Sequence, residues 1–128
     1  MEIPERRFGD VAVLSPLGRV DLANGEAFLA GLVSTLTRLS ADAPPLVVLD
    51  LGRVDYISSI GLRALMVAAK QAKAAQGQIA VSQMTATVAE IFDIARFKFV
   101  LPAFADTREA LASMSADAAR LWDEANRD

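Results

Sequence analysis

Two adjacent serines, Ser58 and Ser59, stand where a helix is predicted to begin, after the loop that follows an apolar strand. Serine is a favoured N-cap, because its hydroxyl oxygen accepts a hydrogen bond from a backbone amide of the first helical turn. One cap is enough for one helix, so the second hydroxyl is available for other chemistry. A phosphate in a first turn is stabilised by exposed amides and by the helix dipole, and it adds roughly two negative charges at most. The pair therefore predicts either simple capping or capping together with phosphorylation.

Other reactive groups are scarce. The 128 residues contain no histidine and no cysteine, which excludes a Ser–His–Asp triad, a thiolate nucleophile and the usual zinc sites. Asp21, Asp50 and Asp55 would have to gather near the strand ends to hold a magnesium ion, but isolated aspartates at helix starts usually act as caps or are solvated. We therefore expect no enzymatic activity, no cofactor and no metal. A nucleotide hydrolase is the enzyme alternative, and titration with ATP and GTP would test nucleotide binding.

Charge and hydropathy set the class of protein. A net charge of −3 with scattered basic residues argues against nucleic-acid binding, which requires a basic patch. No apolar stretch has the length of a signal peptide or of a membrane span, so direct membrane insertion is not expected. With 53% apolar residues, the chain is predicted to form a single cytoplasmic domain over residues 1–128.

The order of predicted elements indicates the fold. The first half contains a hairpin turning at residues 8–11, a helix from Leu22 capped by Asp21 or Asn24, and a strand at 46–51. A loop at 52–58 leads to a helix at 59–76, with Gly77 at its C-cap. The second half then contains a strand at 78–82, a helix capped by Thr85, a strand at 99–101 and a final helix starting after Asp106. Alternation of strands and helices predicts an α/β domain. Its central sheet is expected to be mainly parallel, with about four to five strands and four helices.

The helix after Ser59 has two apolar sides. Four residues are predicted to face the core: Leu62, Leu65, Met66 and Ala69. The opposite side carries Ile60, Ala64 and Val67, bordered by Arg63 and Lys70, where a helix covering a sheet should be polar. This surplus of apolar residues indicates a partner-docking surface. The alternatives are a second helix packed on that side and ordinary isolated surface apolar residues.

Three segments together resemble the STAS domain family, and in particular its stand-alone bacterial anti-sigma factor antagonists. The segments are residues 54–65 (VDYISSIGLRAL) after LDL at 49–51, residues 17–21 (LGRVD) and residues 88–97 (VAEIFDIARF). The resemblance implies that an anti-sigma factor, itself a serine kinase, phosphorylates the serine two residues before the glycine, which is Ser59. The unmodified antagonist then binds the kinase, the phosphorylated form releases it, and a serine phosphatase resets the switch.

The resemblance also implies the surroundings of the acceptor. Asp21, Gly61 and Leu62 are expected near the phosphorylation site. The docking surface is expected on the helix that the serine opens, at Ile57, Ile60, Arg63, Ala64 and Val67.

Two departures from the family pattern leave alternatives open. Ser58 stands where many members have aspartate, so Ser58 is a competing acceptor. Ile60 stands where many have a small residue, and it is expected to tune which kinase is accepted.

The alternative function is that of an unphosphorylated accessory subunit in a lipid or anion transport complex, since some STAS domains serve such complexes. The acidic tail from Ser113 to Asp128 is expected to be the solvated end of the last helix, anchored by Leu121 and Trp122, without a function of its own.

Overall fold

The computed structural model describes residues 1–127 as two sheets and five α-helices. The strands are β1 (Glu5–Phe8), β2 (Val11–Leu14), β3 (Gly18–Val20), β4 (Leu46–Asp50), β5 (Val54–Ile57), β6 (Gln78–Ser82) and β7 (Ala103–Phe104). The helices are α1 (Gly25–Ser40), α2 (Ser59–Ala74), α3 (Ala86–Ile94), α4 (Thr107–Met114) and α5 (Ala116–Ala125), with one 3₁₀ turn at Phe97–Phe99.

The central sheet has five strands in the order β1-β2-β4-β6-β7. Only β1 runs antiparallel, and it joins β2 through a hairpin in which Gly9 takes the left-handed φ of 64° that the turn requires. The pairings of β2, β4, β6 and β7 are parallel. The predicted α/β fold with a mainly parallel sheet is confirmed, while the expected number of four helices is one too low.

Strand β4 is buried on both faces, which explains its uninterrupted apolar sequence. Val47 and Leu49 point into a core formed with α1, α2 and α3. Val48 points to the other face, where it packs in a second cluster with Leu111 of α4 and Ala118 of α5. The sheet is therefore the middle of three layers, with α1 to α3 on one side and the two last helices on the other.

A short second sheet corrects the expected loop at residues 52–58. Most of that segment is strand β5, which pairs in parallel with β3. Neither strand was predicted, because each is only three or four residues long and takes its hydrogen bonds from a partner more than thirty residues away. The apolar members of β5, Val54 and Ile57, are both fully buried.

The predicted strand at residues 99–101 is wrong. Arg96 has a left-handed φ of 55° that ends α3, and the chain then enters the 3₁₀ turn. Phe97 packs on Phe92 of α3 with 5.1 Å between ring centroids, whereas Phe99, in the predicted strand, is 77% exposed. The last strand of the sheet, β7, follows at Ala103–Phe104.

The last helical region begins as predicted but is broken. The Asp106 side chain accepts a hydrogen bond from the Glu109 amide at 2.8 Å and caps α4. Ser115 is extended, ends α4 and caps α5 by accepting from the Ala118 amide at 3.1 Å. Trp122 anchors α5 on β1 through Phe8, at 5.2 Å between ring centroids. The final residue of the predicted tail, Asp128, lies outside the described residues.

Two other predicted helix ends change in detail. Asn24 occupies the N-cap position of α1, but its side chain bonds the Arg19 carbonyl and the Asp21 amide and does not cap the helix. Helix α2 ends at Ala74, and Gln76, not Gly77, takes the left-handed φ, of 62°. Gly77 is required for another reason: a Cβ there would lie 2.0 Å from the Pro45 carbonyl oxygen.

Candidate functional site

The candidate site lies where the two strands of the small sheet end and α2 begins. Val20 and Ile57 are register partners at the carboxyl ends of β3 and β5. The Ser58 amide then donates to the Val20 carbonyl at 2.8 Å, which carries the pairing one residue further. Asp21 and Ser58 therefore leave the same edge of this sheet. The sequence placed both near the site, and the parallel pairing explains how they come together.

The two serines have different structural roles. Ser58 is the N-cap of α2, with extended backbone angles, and its hydroxyl oxygen accepts from the Gly61 amide at 3.4 Å. Ser59 is the first residue of the helix and is exposed. The amides of the first helical turn have no partner within the helix, and they lie at its positive end. Ser59 thus presents a hydroxyl that the cap does not use.

Gly61 fixes how closely α2 approaches the small sheet. A Cβ at Gly61 would lie 2.7 Å from Ile57 Cγ2 and 2.8 Å from Val20 Cγ1. Both neighbours are β-branched strand residues with little freedom to move. Gly61 and the half-buried Leu62 therefore seat the first turn of α2 on the strand ends and hold the two serines at the edge.

Helix α2 faces the core with three of the four predicted residues, since Leu65 is fully buried and Leu62 and Ala69 pack, partly buried, against the core cluster. Its buried residues are Gly61, Ala64, Leu65, Ala68 and Ala72. Met66, predicted to face the core, is 38% exposed. Helix α2 is packed against α1 as well as the sheet, and small residues at i, i+4 spacing allow that close approach. Only the prediction for Met66 is wrong, because the contact with α1 selects the small side chains of Ala64 and Ala68 for the buried face.

Two members of the predicted docking surface are wrong, because Ile57 belongs to the buried strand β5 and Ala64 lies on the buried face of α2. Ile57 and Ala64 are 1% and 2% exposed, so neither side chain can contact a partner. The other three members lie on the exposed side of the helix: Ile60 is 37% exposed, Val67 is 39% exposed, and Arg63 is exposed one turn after Ser59.

Two further apolar residues are exposed on other elements. Leu22, in the loop after Asp21, is 78% exposed, and Ile94, at the end of α3, is 76% exposed. Ile94 lines a shallow groove together with Ser59, Leu62 and Tyr56. No local sequence pattern indicates Ile94, since its position beside Ser59 depends on the packing of α3 against β5.

The first turn of α2 supplies no carboxylate to the positive end of this helix, since it contains no acidic residue. The Arg19 Nε lies 3.8 Å from the Asp21 carboxylate, and the Arg19 guanidinium also lies 4.4 Å from the centre of the Tyr56 ring. A negative charge on Ser59 would therefore meet a positive helix end rather than a neighbouring carboxylate of that turn.

Within residues 1–127, the structure forms no cluster of three acidic side chains able to hold a metal ion. The gathering of Asp21, Asp50 and Asp55 considered from the sequence is therefore not found among the described residues. Asp50 instead accepts from the Gly52 amide at 2.9 Å and stabilises the turn after β4. In the same part of the chain, none of the helices has both the length and the hydrophobicity of a membrane span.

Comparison with known proteins decides the family, since the STAS domain model matches residues 3–110. The chain belongs to the STAS domain family. BtrV of Bordetella bronchiseptica, provisionally named an anti-sigma factor antagonist, is 40% identical over 96 residues, which cover 75% of this chain and 78% of BtrV.

Solved structures show the same fold at lower identity. A provisionally named anti-sigma factor antagonist from Thermotoga maritima has a TM-score of 0.78 at 18% identity, over 87% of this chain and 92% of that one. The phosphorylated form of the Bacillus cell fate determinant SpoIIAA has a TM-score of 0.65 at 13% identity, over 89% of this STAS chain and 100% of SpoIIAA. At these identities the similarity concerns the fold.

Proposed function

We propose that this STAS protein is an anti-sigma factor antagonist that works as a phosphorylation-controlled partner switch in the cytoplasm. Its unphosphorylated form binds an anti-sigma factor that is a serine kinase and so releases the sigma factor. The kinase uses its own bound ATP to phosphorylate Ser59, and the modified protein dissociates. A serine phosphatase then removes the phosphate. The STAS protein itself catalyses no step and needs no cofactor.

The separation of roles between the two serines is the observation that carries this proposal. Because Ser58 supplies the cap, Ser59 can be modified without removing a hydrogen bond that holds α2. Ser59 is also exposed, as a kinase substrate must be. Ser58 is the weaker candidate, since its hydroxyl is engaged with the Gly61 amide and its side chain is partly buried.

The setting of Ser59 explains why a phosphate would change binding without disturbing the fold. The helix end tolerates the dianion, as its amides and dipole favour negative charge. A docking partner would have to cover Ile60 and Val67 on α2 and Ile94 on α3, and covering them would also desolvate a phosphate placed among them. Burying an unpaired charge is strongly unfavourable, so the modification opposes docking.

The relatives support the class of partner. BtrV, the solved Thermotoga structure and SpoIIAA are all described as anti-sigma factor antagonists or cell fate determinants, and one SpoIIAA structure is of a phosphorylated form. The family match covers the whole region from β1 into α4, including every residue of the candidate site.

The test uses the full chain and each purified serine kinase of the anti-sigma factor class from the source genome. After incubation with ATP, mass spectrometry should find phosphate on Ser59 in the wild type and in Ser58→Ala, and none in Ser59→Ala. In calorimetry, Ser59→Ala should bind the kinase as the unmodified wild type does, while Ser59→Asp should bind at least about tenfold more weakly, the weakening expected when an interface loses roughly 1.4 kcal/mol.

Three results would contradict the proposal. Phosphate on Ser58 alone would assign the switch to the other serine. Equal binding of Ser59→Asp and the wild type would remove the switch. Co-purification from the native cells with a permease and an ATPase, with no phosphate on the chain, would favour the accessory subunit of a transport complex instead.

A further inference from the structure

The side chain of Ile60 rests in a space that only a glycine on another helix leaves open. Gly25 is the first residue of α1 and is buried. A Cβ built on Gly25 would lie 2.4 Å from Ile60 Cγ2 and 3.4 Å from Ile60 Cβ. We call this space, above the Cα of Gly25 and filled by Ile60 Cγ2, the Ile60 seat. It locks the start of α1 against the start of α2.

Ile60 cannot leave this seat easily. Its Cγ2 is attached directly to Cβ, so it moves only when the χ1 torsion turns or when the whole helix shifts. In a helix one χ1 rotamer of isoleucine is strongly preferred. An alanine at position 25 would therefore either force Ile60 into a disfavoured rotamer or push the first turns of α1 and α2 apart.

Gly31, on the same helix, also lies close to an isoleucine side chain, but that side chain can move. A Cβ there would lie 2.9 Å from Ile3 Cδ1. That atom is the far end of a flexible side chain and can move aside by rotation about χ2, so Gly31 has little control over where Ile3 lies. Gly25 differs because the atom it would strike is held close to the helix backbone.

We infer that Gly25 is a positioning residue for kinase recognition: by providing the Ile60 seat, it fixes the exposed part of Ile60 directly beside Ser59. Ile60 is 37% exposed, and it follows Ser59, the residue that would be modified, in the first turn of α2. A preorganised apolar contact at this position favours binding, because its rotamer entropy is lost on folding and not on association. The inference rests on the proposed function, since it assigns Gly25 and Ile60 to the recognition of the same kinase.

The experiment compares Gly25→Ala with Gly31→Ala by calorimetry with the kinase that phosphorylates the wild type. Gly25→Ala should weaken binding by about tenfold, the change expected when one well-packed interface contact is lost. Gly31→Ala should bind as the wild type does. Thermal melting of both variants separates a loss of binding from a loss of folding. Equal binding by the two alanine variants, with both folded, would overturn the inference.

A double-mutant cycle tests whether Gly25 acts through Ile60. Ile60→Ala should weaken binding, and adding Gly25→Ala to it should have no further effect, because Cγ2 is no longer there to be displaced. The double variant should also fold even if Gly25→Ala alone does not. A further loss of affinity in the double variant, similar to that of Gly25→Ala alone, would show that Gly25 acts independently of Ile60 and would overturn the inference.

A readout without the kinase separates failure of this inference from failure of the proposed function. In methyl-labelled wild-type protein, the Ile60 γ2 methyl should show a nuclear Overhauser contact with the Gly25 Hα protons, and the Ile60 methyl shifts should change in Gly25→Ala but not in Gly31→Ala. If the contact is found and no kinase binds the wild type, the proposed function fails. If a kinase binds and the contact is missing, the Ile60 seat fails.

Discussion

Helices α2 and α5 both begin after a serine whose hydroxyl accepts a hydrogen bond from the amide three residues further on. The distances are 3.4 Å from the Gly61 amide to Ser58 and 3.1 Å from the Ala118 amide to Ser115. In α5 the first turn contains Asp117, which pairs with Arg120. In α2 the first turn has no acidic residue and offers the exposed hydroxyl of Ser59 instead.

The difference shows that a serine cap alone does not distinguish the candidate site from an ordinary helix start. The positive end of α5 already has a carboxylate beside it, so that helix start is electrostatically complete. The first turn of α2 has no such carboxylate, and it would gain a negative charge only if Ser59 were phosphorylated. It also lies among exposed apolar side chains, whereas α5 closes over β1 and the second core cluster.

The largest expected effect concerns the third helical residue, which is Gly61 in α2 and Ala118 in α5. Gly61→Ala should destabilise the protein, because overpacking against Ile57 and Val20 costs about 1–3 kcal/mol, usually more than the roughly 1 kcal/mol by which helices favour alanine. Ala118→Gly should also destabilise, through the opposite change, since it removes a buried methyl group. Urea unfolding of both variants checks this, and a Gly61→Ala protein at least as stable as the wild type would show that α2 is not seated on the strand ends.

An intermediate effect is expected from the caps themselves. Ser58→Ala and Ser115→Ala should each lower the free energy of unfolding by about 1 kcal/mol, as the loss of a serine N-cap usually does. Ser58→Asp should keep or increase stability, because a carboxylate can accept the same amide bond and the first turn of α2 has no other acid. Ser115→Asp should gain less, since Asp117 is already present. A larger gain at Ser115 than at Ser58, measured by urea unfolding at low salt, would contradict the electrostatic contrast between the two helices.

The smallest effect concerns an ion pair that the α5 region has and the start of α2 lacks. Arg108 of α4 donates two hydrogen bonds to Asp123 of α5, at 2.8 and 2.9 Å, and these bonds hold the pKa of that carboxyl below its usual value. A carboxyl whose pKa is lower in the folded state stabilises the fold above its unfolded-state pKa, and this contribution is lost as pH falls through the folded-state pKa. Asp123→Asn should therefore reduce the fall in stability on acidification. Stability measured between neutral and acidic pH checks this, and an unchanged pH profile would show that the exposed pair contributes nothing.

Much of the large-scale architecture could be predicted from the sequence. The apolar run of β4, the helical spacing in α1 and the capping residues Thr85 and Asp106 are local signals, and the structure confirms each of them. The family pattern around Ser59 was also recognisable, and the family match confirms it. These features depend on residues close together in the chain, where period and propensity act directly.

The parts that were missed depend on contacts between distant segments. Strands β3 and β5 stabilise each other across the chain, so neither has a strong local pattern. On α2 the prediction is wrong for Met66, because the packing of α1 selects the small residues Ala64 and Ala68 for the buried side. Ile94 reaches the candidate site only through the packing of α3.

By itself, the sequence determined that a serine pair opens a helix after a buried strand in a STAS α/β fold. Only the tertiary structure decided which serine caps the helix, which side chains of α2 are exposed and how Gly25 accommodates Ile60. The physical reason is that capping and periodicity are set within a few residues, whereas exposure and steric fit depend on which distant surfaces are packed together.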